Sequence, residues 1–114
     1  MATPLTLNVD RGDDGSARVV AVGELDLSNI GAFTEALATA VADGGGGLTV
    51  DLGAVEYVDS AGINVLFSFA DRVDRMRLIV HPLLVRVLTI SGLTEVAAVE
   101  SASVGSDDGV TGPR

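Results

Sequence analysis

Leu5, Leu7 and Val9 alternate with polar neighbours, and after the turn-rich stretch Asp10 to Ser16 the run Ala17 to Val22 is rich in β-branched valine. A period of two on both sides of a turn predicts a β-hairpin. Further on, Ile30, Phe33, Leu37, Ala40 and Val41 recur near 3.6 residues, which predicts a helix, with Ser28 placed to cap it and Gly44 to Gly47 to end it. Leu48, Val50 and Leu52 return to alternation in a short strand, and after Gly53 and Ala54 the chain leads on to Val55, Tyr57 and Val58.

A second helix is expected from near Ser60, with Ile63, Leu66, Phe67, Ala70 and Val73 on its inner side. Leu78 to Val80 reads as a brief strand, stopped at His81-Pro82 because proline drives the preceding residue to extended geometry. Leu84, Val87 and Leu88 mark a third helix closed by Ser91-Gly92, and Thr94 to Val99 is read as a last strand. The order β-β-α-β-α-β-α-β calls for a sheet with helices packed on it. From Ser101 to Arg114 only Val104 and Val110 are sizeable apolar residues, so a disordered tail is expected there.

Composition narrows the chemistry. All seven basic residues among the 114 are arginine, there is no cysteine, and His81 is the sole histidine. Without lysine there is no Walker-type phosphate site, Schiff base or protein-kinase centre. Without cysteine there are no disulfides, thiolate nucleophiles or usual zinc sites. The balance favours a binding or regulatory module over an enzyme, with no cofactor.

Charge adds a direction. Of the net −9, nearly all arises between Arg18 and Arg72, where eight acids stand with no basic residue. Such a surface repels nucleic acid phosphates and anionic membranes and speeds encounter with a basic partner. Neither nucleic acid binding nor membrane insertion is expected. The most apolar stretch, Leu78 to Ile90, is broken by His81, Pro82 and Arg86 and falls short of the ~20 residues of a membrane helix. With no secretory signal at Met1 to Pro4, a cytoplasmic protein is expected.

The segment Val55-Glu56-Tyr57-Val58-Asp59-Ser60-Ala61-Gly62 places a serine between a strand exit and a helix start. Ser60 or Asp59 as a simple helix cap is one reading. Ser60 as a nucleophile is another, but Val58 replaces the first glycine of a G-x-S-x-G elbow and His81 would be the only base. A third is that Ser60 is phosphorylated by another protein, its phosphate facing helix N-terminal amides, a help of ~0.3–2 kcal/mol. Asp59 and Glu56 oppose that: like charges ~4 Å apart at an effective dielectric of 20 repel by about 4 kcal/mol per unit pair. The phosphate's effect should then fall on whatever docks against this corner.

Gly23-Glu24-Leu25-Asp26, Val50-Asp51-Leu52, Val58-Asp59-Ser60-Ala61-Gly62 and Val87-Leu88-Thr89-Ile90-Ser91-Gly92-Leu93 occur in this order along the chain. Together they resemble the STAS domain of bacterial anti-sigma factor antagonists, over roughly Leu5 to Val99. The resemblance implies a single α/β domain over residues 1–100, a mixed sheet of four to five strands packed with three to four helices. It makes Ser60 the phosphoacceptor, alone in its motif because Ala61 stands where a second hydroxyl is common. It also implies a partner surface comprising Glu24, Asp26, Ser28, Asp59, Ser60, Ala61, Gly62 and Asn64. The implied function is antagonism of a serine-kinase anti-sigma factor, freeing a sigma factor, with a serine phosphatase reversing the modification. A STAS subunit of a membrane lipid-transport complex, lacking the switch, is the alternative.

Three weaker features remain. Asp10 to Gly15 partly imitates a calcium loop but is read as a hairpin turn, because its third position is glycine. Gly44 to Gly47 lacks the context of a phosphate cradle and reads as a flexible connection. Arg72, Arg75 and Arg77 are expected to solvate a helix end.

Overall fold

The computed structural model describes residues 5–12, 15–42 and 46–102. Its elements are β1 (Thr6–Arg11), β2 (Ala17–Leu25), α1 (Ile30–Val41), β3 (Gly47–Val58), α2 (Ser60–Ala70), β4 (Arg75–Val80), α3 (Pro82–Ile90), a 3-10 turn (Leu93–Glu95) and β5 (Ala98–Ser101). The five strands form one sheet in the order β1-β2-β3-β4-β5, with β1 antiparallel to β2 and every later pairing parallel. A mixed sheet with three helices is the expected α/β fold.

Burial follows the pleat. Ala17, Val19, Ala21, Gly23 and Leu25 of β2, Leu48, Val50 and Leu52 of β3, and Met76, Leu78 and Val80 of β4 are buried, and the residues alternating with them are not. The helices therefore cover one face, inserting Phe33, Leu37 and Ala40 from α1, Leu66 and Phe69 from α2, and Leu84 and Leu88 from α3.

Several local expectations need correction. The N-cap of α1 is Asn29, not Ser28, and its side chain makes no cap bond. Strand β3 does not break at Gly53-Ala54; it runs through twelve residues and absorbs two register shifts against β2, with the Gly53 amide donating to Asp51 Oδ1 at 2.9 Å. Helix α2 ends at Ala70, before Val73, and its fully buried stripe is Gly62, Leu66 and Phe69, with the expected Ile63, Phe67 and Ala70 partly buried against the core beside it. Spacing i, i+4, i+7 is satisfied once the glycine is counted, and only a glycine lets the helix come this close (see below). On α3, Val87 turns outward at 45% exposure. The last strand begins at Ala98, after a 3-10 turn over part of the expected strand.

The expected end of α3 holds. Ser91 caps α3 and Gly92 follows it with φ +91°, a left-handed conformation that favours glycine. Ser101, expected to open the tail, belongs to β5, and Gly47, expected in the glycine connection, opens β3; the tail from 103 onward, like 44–45 of that connection and 13–14 of the hairpin turn, lies outside the described residues. Arg75 and Arg77 stand on β4, where Arg77 forms a two-pronged ion pair with Glu100 of β5 at 2.6 and 2.9 Å. Arg72 lies 4.5 Å from the centre of the Phe69 ring. Arg72 thus stands at the end of α2 as expected, whereas Arg75 and Arg77 lie on a strand and do not.

Candidate functional site

At the carboxyl ends of β2 and β3, two chain reversals meet: the turn Asp26–Asn29 leading into α1, and Asp59 leading into α2. Extended backbone at Asp59 (φ −93°, ψ −177°) makes it the N-cap of α2. Its Oδ1 accepts from the amides of Ala61 at 3.0 Å and Gly62 at 3.2 Å, and its Oδ2 accepts from the amide of Leu27 at 3.0 Å. The Asp59 amide donates to the carbonyl of Leu25 at 3.2 Å. One carboxylate thus clasps the helix start to the neighbouring turn.

The turn is closed from within as well. Asp26 N–H donates to Asn29 Oδ1 at 3.0 Å, Ser28 N–H to Asp26 Oδ1 at 2.9 Å, and Asn29 N–H to the Asp26 carbonyl at 3.1 Å. Ser28 Oγ donates to Asp26 Oδ1 at 2.6 Å, and Asn29 Nδ2 to the Glu24 carbonyl at 2.7 Å. With the Leu27 bond to Asp59, every backbone N–H from 26 to 29 has an acceptor. Asx-type bonding of this kind explains why neither the Ser28 nor the Asn29 side chain makes a cap bond to α1: both are engaged inside the turn, and Asn29 caps through its backbone alone.

Ser60 is exposed in the first turn of α2, Asn64 is exposed one turn later, and Glu24 and Asp26 are half-buried. The structure therefore brings Glu24, Asp26, Ser28, Asp59, Ser60 and Ala61 to one corner. Gly62 is buried beneath it: a Cβ there would stand 2.8 Å from Val58 Cγ1 and 3.0 Å from Leu25 Cδ2. This glycine lets α2 seat on the strand ends and offers no side chain to a partner. The amides of Ala61 and Gly62, expected to await a phosphate, are already bonded to Asp59.

Sequence reasoning missed Leu27, which is 74% exposed at the tip of the turn. Leu27 lies outside every apolar period, and an exposed leucine next to an Asp59 bond has no signature in the string of residues. Tyr57, in register with Glu24 across β2 and β3, is also half exposed.

The nucleophile reading of Ser60 loses its base. His81 is the N-cap of α3, and its Nδ1 accepts from the Leu83 amide at 3.1 Å, with Pro82 opening the helix behind it. Asp10, first position of the calcium-like segment, bonds Arg18 through both carboxylate oxygens at 2.9 Å across the hairpin, which holds its carboxyl below the usual range. Among the described residues no group of three His, Asp or Glu side chains is arranged to hold a metal, and no helix is long and apolar enough to cross a membrane.

A family model described as "Mlab, STAS domain" matches residues 9–100. The anti-sigma-F factor antagonist RsfB of Mycobacterium tuberculosis is 32% identical over 74 residues, which are 64% of this chain and 61% of the length of RsfB. The crystal structure of an anti-sigma factor antagonist from Mycobacterium paratuberculosis superposes with a TM-score of 0.78 at 26% identity, over 85% of this chain and 86% of the other. The anti-sigma factor antagonist SpoIIAA in its unphosphorylated form shares the fold at a TM-score of 0.68 and 17% identity, over 82% of this chain and 87% of the other.

Proposed function

The chain belongs to the STAS-domain family, and from that premise we propose that it is an anti-sigma factor antagonist, a cytoplasmic binding protein switched by phosphorylation of Ser60. Unmodified, it holds a serine-kinase anti-sigma factor and so frees a sigma factor; the kinase phosphorylates Ser60 with its own ATP and Mg²⁺, and a serine phosphatase reverses the step. The chain itself performs no catalysis. Its relatives' names support the regulatory role.

One observation carries the reading: the Asp59 carboxylate occupies the Ala61 and Gly62 amides beside the exposed Ser60. A phosphate on Ser60 competes with a resident anion for those amides, so its charge is directed outward. Adding about −1.5 to −2 charge at pH 7 to a surface that already bears Glu24, Asp26 and Asp59 changes which partner is held. If the charge falls inside an interface, a penalty of several kcal/mol follows, and each ~1.4 kcal/mol is tenfold in affinity. A hundredfold release is expected.

The test is incubation with kinase-type anti-sigma factors and ATP, with the product mapped by mass spectrometry. Phosphate is expected on Ser60 and none on Ser60→Ala protein; equal labelling of the variant sinks the assignment. Ser60→Glu is expected to weaken the complex, read by calorimetry. Co-purification with a permease and an ATPase, without phosphorylation, would favour the lipid-transport alternative.

A further inference from the structure

We infer that Leu27 is the apolar anchor by which a folded protein partner, presenting an apolar pocket rimmed by arginine or lysine, is held at the Ser60 corner. The inference rests on the proposed function and adds a residue and a pocket chemistry to it. Leu27 is 74% exposed, yet the turn that carries it has all four backbone N–H groups bonded, one of them to the carboxylate that also caps α2. A leucine exposed to water on a turn whose backbone amides are all bonded is presented by an ordered backbone, so association there costs little backbone entropy. Val22 and Val9, by contrast, are 44% and 39% exposed on regular strands and are ordinary surface residues.

Charge selects the occupant. Asp26 precedes the leucine, Asp59 accepts from its amide, Glu24 stands three residues earlier at the end of β2, and no basic residue occurs between Arg18 and Arg72. An apolar pocket with basic side chains at its rim matches both the leucine and the acids around it. Nucleic acid offers phosphates to the same acids and does not fit.

The experiment measures binding of a panel of purified serine-kinase anti-sigma factors to the wild-type chain, Leu27→Ala, Leu27→Met and Leu83→Ala by calorimetry. Leu83, on α3, is 67% exposed and serves as a comparably accessible leucine on a different element. Leu27→Ala is expected to weaken binding about ten- to a hundredfold, the worth of burying one leucine. Leu27→Met keeps affinity within about threefold because the volume is conserved. Leu83→Ala leaves it unchanged. Thermal unfolding of the exposed-site variants stays at the wild-type midpoint, which separates a contact from a folding defect. Wild-type affinity in Leu27→Ala, or an equal loss in Leu83→Ala, overturns the anchor while leaving the Ser60 reading intact. Failure of every panel member to bind the wild-type chain overturns the proposed function, and the anchor with it.

Discussion

Asp59 carries more of the local structure than any other side chain at the corner, because its two oxygens serve three amides on two segments. Asp59→Asn keeps one acceptor for Ala61 and Gly62 but turns an NH2 toward the Leu27 amide, donor against donor. Hydrogen bonds to charged groups contribute on the order of 1.5–3 kcal/mol, so a loss toward the lower end is expected at this half-buried position, read from urea unfolding. Unchanged stability would mean the clasp does not hold the turn. Gly62→Ala sets two effects against each other. Alanine gains about 0.5–1 kcal/mol of helix preference, whereas the overpacking forced by a Cβ 2.8 Å from Val58 costs about 1–3 kcal/mol. Net destabilisation in a melting experiment is expected, and a stabilised variant would show that α2 shifts freely. Sequence reading offered Asp59 as a helix cap, which the bonding bears out; the close packing at Gly62 has no such signal, because a glycine in a motif does not say what lies beneath it.

At the scale of elements, the hairpin, α1 and the order of strands and helices were legible because a period of two or 3.6 survives wherever one face is buried. Facing directions were less so. The buried stripe of α2 runs through Gly62, which hydropathy treats as blank, so counting apolar side chains rotates the helix toward Phe67 and away from Phe69. The length of β3 was hidden by Gly53-Ala54, which reads as a break in a string and is a bulge in a sheet. Strand β5 shows how a short edge element is held: Arg77 on β4 bonds Glu100 in two places, lowering the Glu100 carboxyl below its ordinary range through that hydrogen bond. A group whose folded pKa is depressed stabilises the fold above its unfolded pKa, and the contribution fades as pH falls through the lowered folded value. Glu100→Gln should therefore lower the urea midpoint slightly at neutral pH, and the gap from wild type should close in acid. Both partners are exposed, so the gap is small. A gap that widens in acid would contradict the pair.

For the whole molecule, charge is distributed unevenly along the chain. Eight acids fall between Arg18 and Arg72, a span that includes both reversals of the Ser60 corner, whereas no acid occurs between Asp74 and Glu95, the span that holds α3. An approaching basic partner is attracted by the net −9, and the sequence alone discloses that much, since net charge needs no side-chain geometry. Where that field steers encounter, salt must slow association more than it speeds dissociation, because screening acts on the separated charges while the buried apolar contact is indifferent to it. The Debye length falls from about 10 Å at 0.1 M to about 3 Å at 1 M, so the on-rate for a basic-rimmed anti-sigma factor is expected to drop roughly tenfold or more across that range. The off-rate should change far less, since it reports contacts such as Leu27 already closed to ions. Stopped-flow association at several salt concentrations reads both rates, and an on-rate independent of salt would remove steering from the mechanism.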